Sequence, residues 1–249
     1  MKETYRIADI AVSIDSLHGR VHRLCEAYRN ADAVPAFSVQ ITQDDIDLER
    51  TLSERGRAKN NPTLPENPDS YLEELAVYRK IAETMPSFDT VLMHGSCVAL
   101  DGEGFLFAAR SGTGKSTHAR LWRERFGERA VMINDDKPLV RVADGSAVIF
   151  GTPWDGKHHL STNTSVPLKA IGFLERAEQN AARRLSFAEA YPKLLQQIYR
   201  PLDGEAMKKT LALIDRLSRT VDLWLLQCNM KPEAAEAAYN AMKGSAENP

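Results

Sequence analysis

Apolar residues recur along the chain with two different periods, and the switches between them mark out its elements. From Thr4 to Ile14 the apolar positions Ile7, Ile10, Val12 and Ile14 read as a strand, and Phe37, Val39 and Ile41 repeat a period of two. Between them Leu17, Val21, Leu24, Cys25 and Tyr28 fall at helical spacing, so the chain opens as strand, helix, strand. Ala58 to Ser70 breaks both periods with Lys59, Asn60, Asn61, Pro62, Pro65, Asn67 and Pro68, which predicts a linker over 61–70. A helix restarts behind Asp69 and Ser70 with Leu72, Leu75, Tyr78 and Ile81 and stops at Pro86. Two apolar runs, Val91–Leu100 and Gly104–Ala109, flank Asp101-Gly102-Glu103 and predict an antiparallel hairpin. A second hairpin is expected over Leu139–Phe150 with Asp144-Gly145 at its tip. Ala170–Leu174 reads as one more buried strand, and Leu223–Leu226 has the length of another. From Ser186 onward the remaining pattern is helical: Phe187, Leu194, Leu195 and Ile198 mark one helix, Leu211, Leu213, Ile214 and Leu217 a second, and Ala234–Met242 a third.

This alternation predicts an α/β chain with α+β character. A small N-terminal α/β region covers 1–60, a linker 61–70, and a mixed-sheet core with C-terminal helices 71–249. Charge narrows the partners: 32 Lys and Arg against 34 Asp and Glu give a net charge of −2 spread along the chain, which argues against nucleic acid. The composition, 43% hydrophobic and 27% charged, excludes wholesale disorder and a fibrous repeat. Uncharged apolar runs stop far short of the ~20 residues a membrane helix needs. Lys2, Glu3, Arg6, Asp9 and Asp15 interrupt any signal-peptide core. Cys25, Cys97 and Cys228 are an odd number at wide spacing without a CxxC, which suits a reducing compartment, so the cytoplasm is expected and a homo-oligomer is left open.

The most informative stretch is the strand Phe105–Ala109 running into Arg110-Ser111-Gly112-Thr113-Gly114-Lys115-Ser116-Thr117. A helix follows that carries Ala119, Trp122 and Phe126 on one face and stops at Gly127. Gly112 and Gly114 let successive N–H groups converge on phosphate oxygens, and the loop ends at a helix N-terminus whose dipole favours anions. Ser111, Gly112, Thr113, Gly114, Lys115, Ser116 and Thr117 form the predicted nucleotide-binding set, with Lys115 on the β- and γ-phosphates and the Ser116 hydroxyl on Mg²⁺. The pattern G-x-x-x-x-G-K-[ST] departs at one place, where Ala109 stands for the first glycine. The bland alternative is a glycine-rich turn that happens to carry a lysine and a serine.

About twenty residues after Lys115, the apolar strand Ala130–Asn134 ends in Asp135-Asp136. There one carboxylate would hold Mg²⁺ and its neighbour would accept the proton of an attacking hydroxyl. Without the loop upstream, two turn-forming aspartates opening the next hairpin would be the commoner explanation.

In the order strand, His94-Gly95, hairpin, Ser111–Thr117, Asp135-Asp136, the chain resembles the superfamily of HPr kinases and ATP-dependent phosphoenolpyruvate carboxykinases, over residues 88–175. Its length fits the kinase branch and the small HPr-kinase-like proteins of bacteria. The resemblance implies the mixed-sheet P-loop core of the HPr kinase C-terminal part. It also implies ATP and Mg²⁺ as cofactors, Asp135, Asp136, Lys115 and His94 as catalytic residues, Ser116, Asp135 and Asp136 at the metal, and His94 against the transferred phosphoryl group or a second metal. Where the kinases carry a downstream Gly-rich signature this chain has Gly151-Thr152-Pro153-Trp154-Asp155-Gly156-Lys157-His158-His159, so the acceptor stays open.

That segment lacks any period and reads as a loop over the site, with Trp154, Asp155, Lys157 and His159 as candidate substrate contacts and plain packing an equal alternative. The adjacent pair His158-His159 lacks the spacing of a zinc signature. The leading expectation is therefore a Mg·ATP-dependent kinase acting on a hydroxyl of a small molecule, a peptide or a protein serine. A nucleotide-binding regulatory or partner-binding module with reduced turnover is the alternative that Ala109 motivates, and phosphorolysis at the same site is a third.

Overall fold

The structure is a computed structural model and describes residues 1–60, 65–156 and 159–244. The chain divides into two compact units, Met1–Thr84 and Met85–Pro249.

The first unit contains β1 (Lys2–Ile7), β2 (Ile10–Asp15), α1 (Arg20–Leu24), β3 (Phe37–Gln40), α2 (Gln43–Asn60) and α3 (Asp69–Thr84). The single strand expected over Thr4–Ile14 is in fact a hairpin. Ala8 and Asp9 adopt φ of +49° and +59°, the left-handed pair that a two-residue turn between twisted strands requires. β3 joins β2 in parallel. Tyr5, Ile7, Ile14, Val21, Ile46 and Ile81 are fully buried. Helix α2 has no counterpart in the sequence reading, because Leu48 and Leu52 are exposed and Ile46 alone of the three is buried, which leaves no apolar stripe to recognise. The boundary also differs from the expected one. Asp69 and Ser70 form the first turn of α3, and α3 packs with α1, α2 and β3, so residues 71–84 belong with the first unit. Part of the expected linker, 61–64, lies outside the described residues.

The second unit runs through β4 (Thr90–Leu92), β5 (Ser96–Leu100), β6 (Glu103–Ala108), α4 (Lys115–Phe126), β7 (Ala130–Asn134), β8 (Leu139–Ala143), β9 (Ser146–Phe150), β10 (Ser165–Arg176), β11 (Ala181–Arg184), α5 (Phe187–Gln197), α6 (Gly204–Thr220), β12 (Asp222–Cys228) and α7 (Glu233–Met242). Its strands make one mixed sheet, so the α/β expectation holds. Both expected hairpins are present, β5–β6 and β8–β9. The run Val91–Leu100 is two strands rather than one: β4 pairs with β8, β5 pairs with β6 and β7, and the break falls at His94-Gly95. A Cβ at Gly95 would stand 2.7 Å from Leu106 Cδ1 and 2.9 Å from the Phe107 carbonyl, so the break can pass this close to β6 only as glycine. The C-terminal part is not wholly helical. β12 lies parallel to β10 and antiparallel to β11, its short apolar run being shielded on both faces of the sheet.

Strand alternation assigns each face of this sheet a core. Cys97, Ala99, Leu106, Ala108, Ile171 and Phe173 pack with Leu194 of α5 and Leu213, Ile214 and Leu217 of α6. Val98, Leu100, Phe105, Phe107, Ala170 and Leu226 pack with Trp122 of α4 and Ala235 and Ala238 of α7. Trp122 is fully buried, with ring centroids 5.0 Å from both Phe105 and Phe107. Truncating an indole in such a setting costs about 3–5 kcal/mol. That packing anchors α4, and with it the loop that precedes the helix.

Candidate active site

The glycine-rich loop leaves β6 at Ala108 and enters α4 at Lys115. Gly112 and Gly114 adopt φ of +78° and +124°, so both glycines of the motif serve backbone conformations that side chains disfavour. Gly114 caps α4, and its carbonyl accepts the His118 amide at 2.9 Å. Ala109 is absent from the residues with positive φ, and its carbonyl accepts Lys115 Nζ at 3.1 Å. Alanine therefore meets no conformational penalty at this place in the motif. Lys115 is buried, and burial pulls its ammonium below the ordinary lysine value, with Asp136 acting in the opposite sense. From the end of β10, Arg176 donates through Nε to the Thr113 carbonyl at 3.1 Å and through Nη2 to the Gly112 carbonyl. A cleft of about 690 Å³ lies beside the loop, lined by Arg110, Ser111, Gly112 and Thr113 and by Lys193, Gln196 and Gln197 of α5.

The two aspartates occupy a turn built by Asn134, the last residue of β7. Asn134 is fully buried. Its Oδ1 accepts the amides of Asp136 at 2.8 Å and Lys137 at 2.7 Å, while its Nδ2 donates to the Thr152 carbonyl at 3.2 Å and to Thr152 Oγ1 at 3.1 Å. Thr152 Oγ1 in turn donates to the Lys137 carbonyl at 2.8 Å. This network turns the neighbouring carboxylates to different surroundings. Asp135 is buried and accepts the Ser96 hydroxyl at 2.7 Å; it shares a cavity of about 350 Å³ with Ser116, Thr117, Arg120 and Arg123. Asp136 is half-exposed, with Oδ1 at 3.8 Å from His94 Nδ1 and 3.6 Å from Lys137 Nζ.

His94 is fixed through its backbone, which donates to the Gln197 carbonyl at 2.7 Å, and the next amide, of Gly95, donates to the Asp136 carbonyl at 3.1 Å. Burial pushes its imidazole down to about 4, with the Lys137 and Lys115 ammoniums adding to the effect and Asp136 opposing it. At pH 7 the ring is therefore neutral.

A family model described as SynChlorMet cassette protein ScmC matches residues 71–232. The chain belongs to this family. The region that it shares with the ScmC family contains the glycine-rich loop, the acidic turn and the loop that follows β9. No curated protein matches the chain. Among solved structures it is similar to the Hpr(Ser) kinase/phosphatase from Coxiella burnetii at 14% identity, over 51% of this chain and 96% of that chain, with a TM-score of 0.28.

Within the ScmC-family region the loop after β9 holds the described candidate substrate contacts in different settings. Trp154 is buried, and its carbonyl accepts Asn134 Nδ2 at 3.4 Å. Asp155 accepts His159 Nδ1 at 2.9 Å, the Ser161 amide at 3.2 Å and the Ser161 hydroxyl at 2.8 Å, so its carboxylate fastens the loop onto itself. His159 is exposed, and Lys157 and His158 lie outside the described residues. The loop does reach the chemistry, since a Cβ at Gly156 would stand 3.1 Å from Asp135 Oδ2. His118 is buried and accepts Trp122 Nε1 at 3.1 Å. The sequence reading missed Ser96, Asn134, Lys137, Thr152 and Arg176. Of these, Asn134 and Lys137 carried a signal, because they bracket the aspartate pair directly.

No described helix is long and apolar enough to cross a membrane.

Proposed function

We propose that this protein is a Mg·ATP-dependent phosphotransferase that moves the γ-phosphoryl group to a hydroxyl of a small molecule, a peptide or a protein serine. The observation that carries this reading is that Ser116 of the phosphate loop and Asp135 of the acidic turn, from separate elements of the fold, line one cavity. Their donor set is oxygen only, which fits a hard divalent cation such as Mg²⁺ completing its shell with phosphate oxygens and water. When bound there, the ion would offset charge on the phosphates.

The chain's own groups divide the remaining work. Amides of the loop from Ser111 to Ser116 and the start of α4 receive phosphate oxygens, and the Lys115 ammonium leaves the Ala109 carbonyl for the nucleotide. Asp135, tied to Ser96, is the metal-side carboxylate. Asp136, beside His94 and Lys137, is the proton acceptor. The acceptor oxygen bonds to the γ-phosphorus as the bond to the bridging oxygen breaks. That electron pair leaves with the diphosphate, and the hydroxyl proton passes to Asp136. The loop carrying Trp154, Asp155 and His159 bears on acceptor choice, with Asp155 shaping it from within.

Radiolabelled ATP, Mg²⁺ and a cell extract provide the test, with product read as transferred label. Nucleotide at a hundred times its Kd should stabilise the wild type by about 2.7 kcal/mol, and Lys115→Ala should lose that stabilisation. Asp136→Asn should keep nucleotide binding and lose transfer. No thermal shift in the wild type would remove the nucleotide reading, and full transfer by Asp136→Asn would remove its role as base.

A further inference from the structure

Lys137 stands among the site residues with a backbone held on both sides. Its amide donates to Asn134 Oδ1 at 2.7 Å, and its carbonyl accepts Thr152 Oγ1 at 2.8 Å. The next residue is Pro138, which restricts Lys137 to extended backbone, and the Pro138 carbonyl accepts the Met93 amide at 3.0 Å beside His94. The side chain is mostly covered, and Nζ lies 3.2 Å from His94 Nδ1 and 3.6 Å from Asp136 Oδ1. A surface lysine held by nothing would show none of these fastenings.

The contact with His94 also fixes which ring nitrogen carries the proton. An ammonium has donors and no lone pair, so at this contact His94 Nδ1 must accept. The ring proton of a neutral imidazole then sits on Nε2, which becomes a donor. Because Nδ1 faces Lys137, that N–H points away from it, and the ammonium alone stands next to the half-exposed carboxylate.

We propose that Lys137 forms the seat of the terminal phosphoryl group, so that the site distinguishes a nucleoside triphosphate from a diphosphate. This rests on the phosphotransferase reading and adds a residue to it. Lys115 serves the phosphates that both nucleotides share, whereas Lys137 meets a charge that only the triphosphate brings.

The experiment compares Kd for Mg·ATP and Mg·ADP by calorimetry in the wild type, Lys137→Ala, Lys137→Met and Lys137→Arg. The Ala and Met variants should weaken ATP about tenfold and ADP less than about twofold, while Arg keeps most of the preference. Met retains the apolar stem, so the split is read even if the Ala variant folds poorly. A purely structural lysine would weaken both nucleotides alike or neither, and either result overturns the proposal while leaving the phosphotransferase reading intact. Failure of the wild type to bind either nucleotide overturns both together.

Discussion

The glycine-rich loop and the acidic turn sit at the ends of β6 and β7, on either side of β5, and they are built by opposite means. The loop is a backbone device. Its shape depends on two glycines with positive φ, and its fasteners are the Lys115 and Arg176 side chains on its carbonyls. The turn is a side-chain device, in which one buried asparagine holds two amides ahead of it and Thr152 and Trp154 across from it. A backbone device leaves its mark in a short stretch of sequence, whereas a side-chain device joins residues that only the fold brings together.

The sharpest way to break this comparison is Asn134→Ala. Removing the amide leaves the Asp136 and Lys137 amides and the Thr152 oxygens to find new partners in a buried place, where each orphaned group costs about 1–3 kcal/mol. We expect a loss of about 3 kcal/mol or more in denaturant unfolding. A loss below about 1 kcal/mol would mean that the turn keeps its form through backbone alone.

Arg176→Ala probes the other device and should have a smaller effect of a different kind. The side chain is exposed, so stability should change by less than about 0.5 kcal/mol. Nucleotide Kd should rise several-fold, because the carbonyls of Gly112 and Thr113 lose the guanidinium that turns them away from the phosphates. Unchanged affinity would assign the loop's shape to its glycines alone.

The smallest effect is expected of Ala109→Gly, which restores the glycine of the general motif. Ala109 is buried and free of positive φ, so glycine adds only unfolded-state entropy, and stability should fall by about 0.5–1 kcal/mol with no gain in nucleotide affinity. A gain in affinity would show that the alanine handicaps the loop.

The same contrast explains what was legible in the sequence. The hairpins at Asp101-Gly102 and Asp144-Gly145 and the glycine-rich turn between β6 and α4 were readable because turn chemistry is local. The aspartate pair was readable only through its distance from Lys115. Helix α2 was missed for want of an apolar stripe, and β12 was only half seen because a short run buried on both faces has no period of its own. Arg176 left no trace, since its partners lie more than sixty residues away. Asp155 reads from sequence equally as a ligand contact or as packing, and its oxygens accept from Ser161 and His159 of the same loop.

Strand β10 carries one consequence for how the molecule comes into being. It pairs with β9 over Ser165–Pro167, with β6 over Leu168–Phe173 and with β12 over Ala170–Arg176. The two parallel pairings bring together segments that leave the ribosome far apart in time, and such pairings are slow because loop closure precedes any reward. During synthesis the β5–β6 and β8–β9 hairpins can form as soon as they emerge, but the strand that carries Arg176 to the phosphate loop stays open along one edge until Asp222–Cys228 arrives. The glycine-rich loop thus emerges well before the strand pairing that completes its surroundings, and that completion waits on Asp222–Cys228.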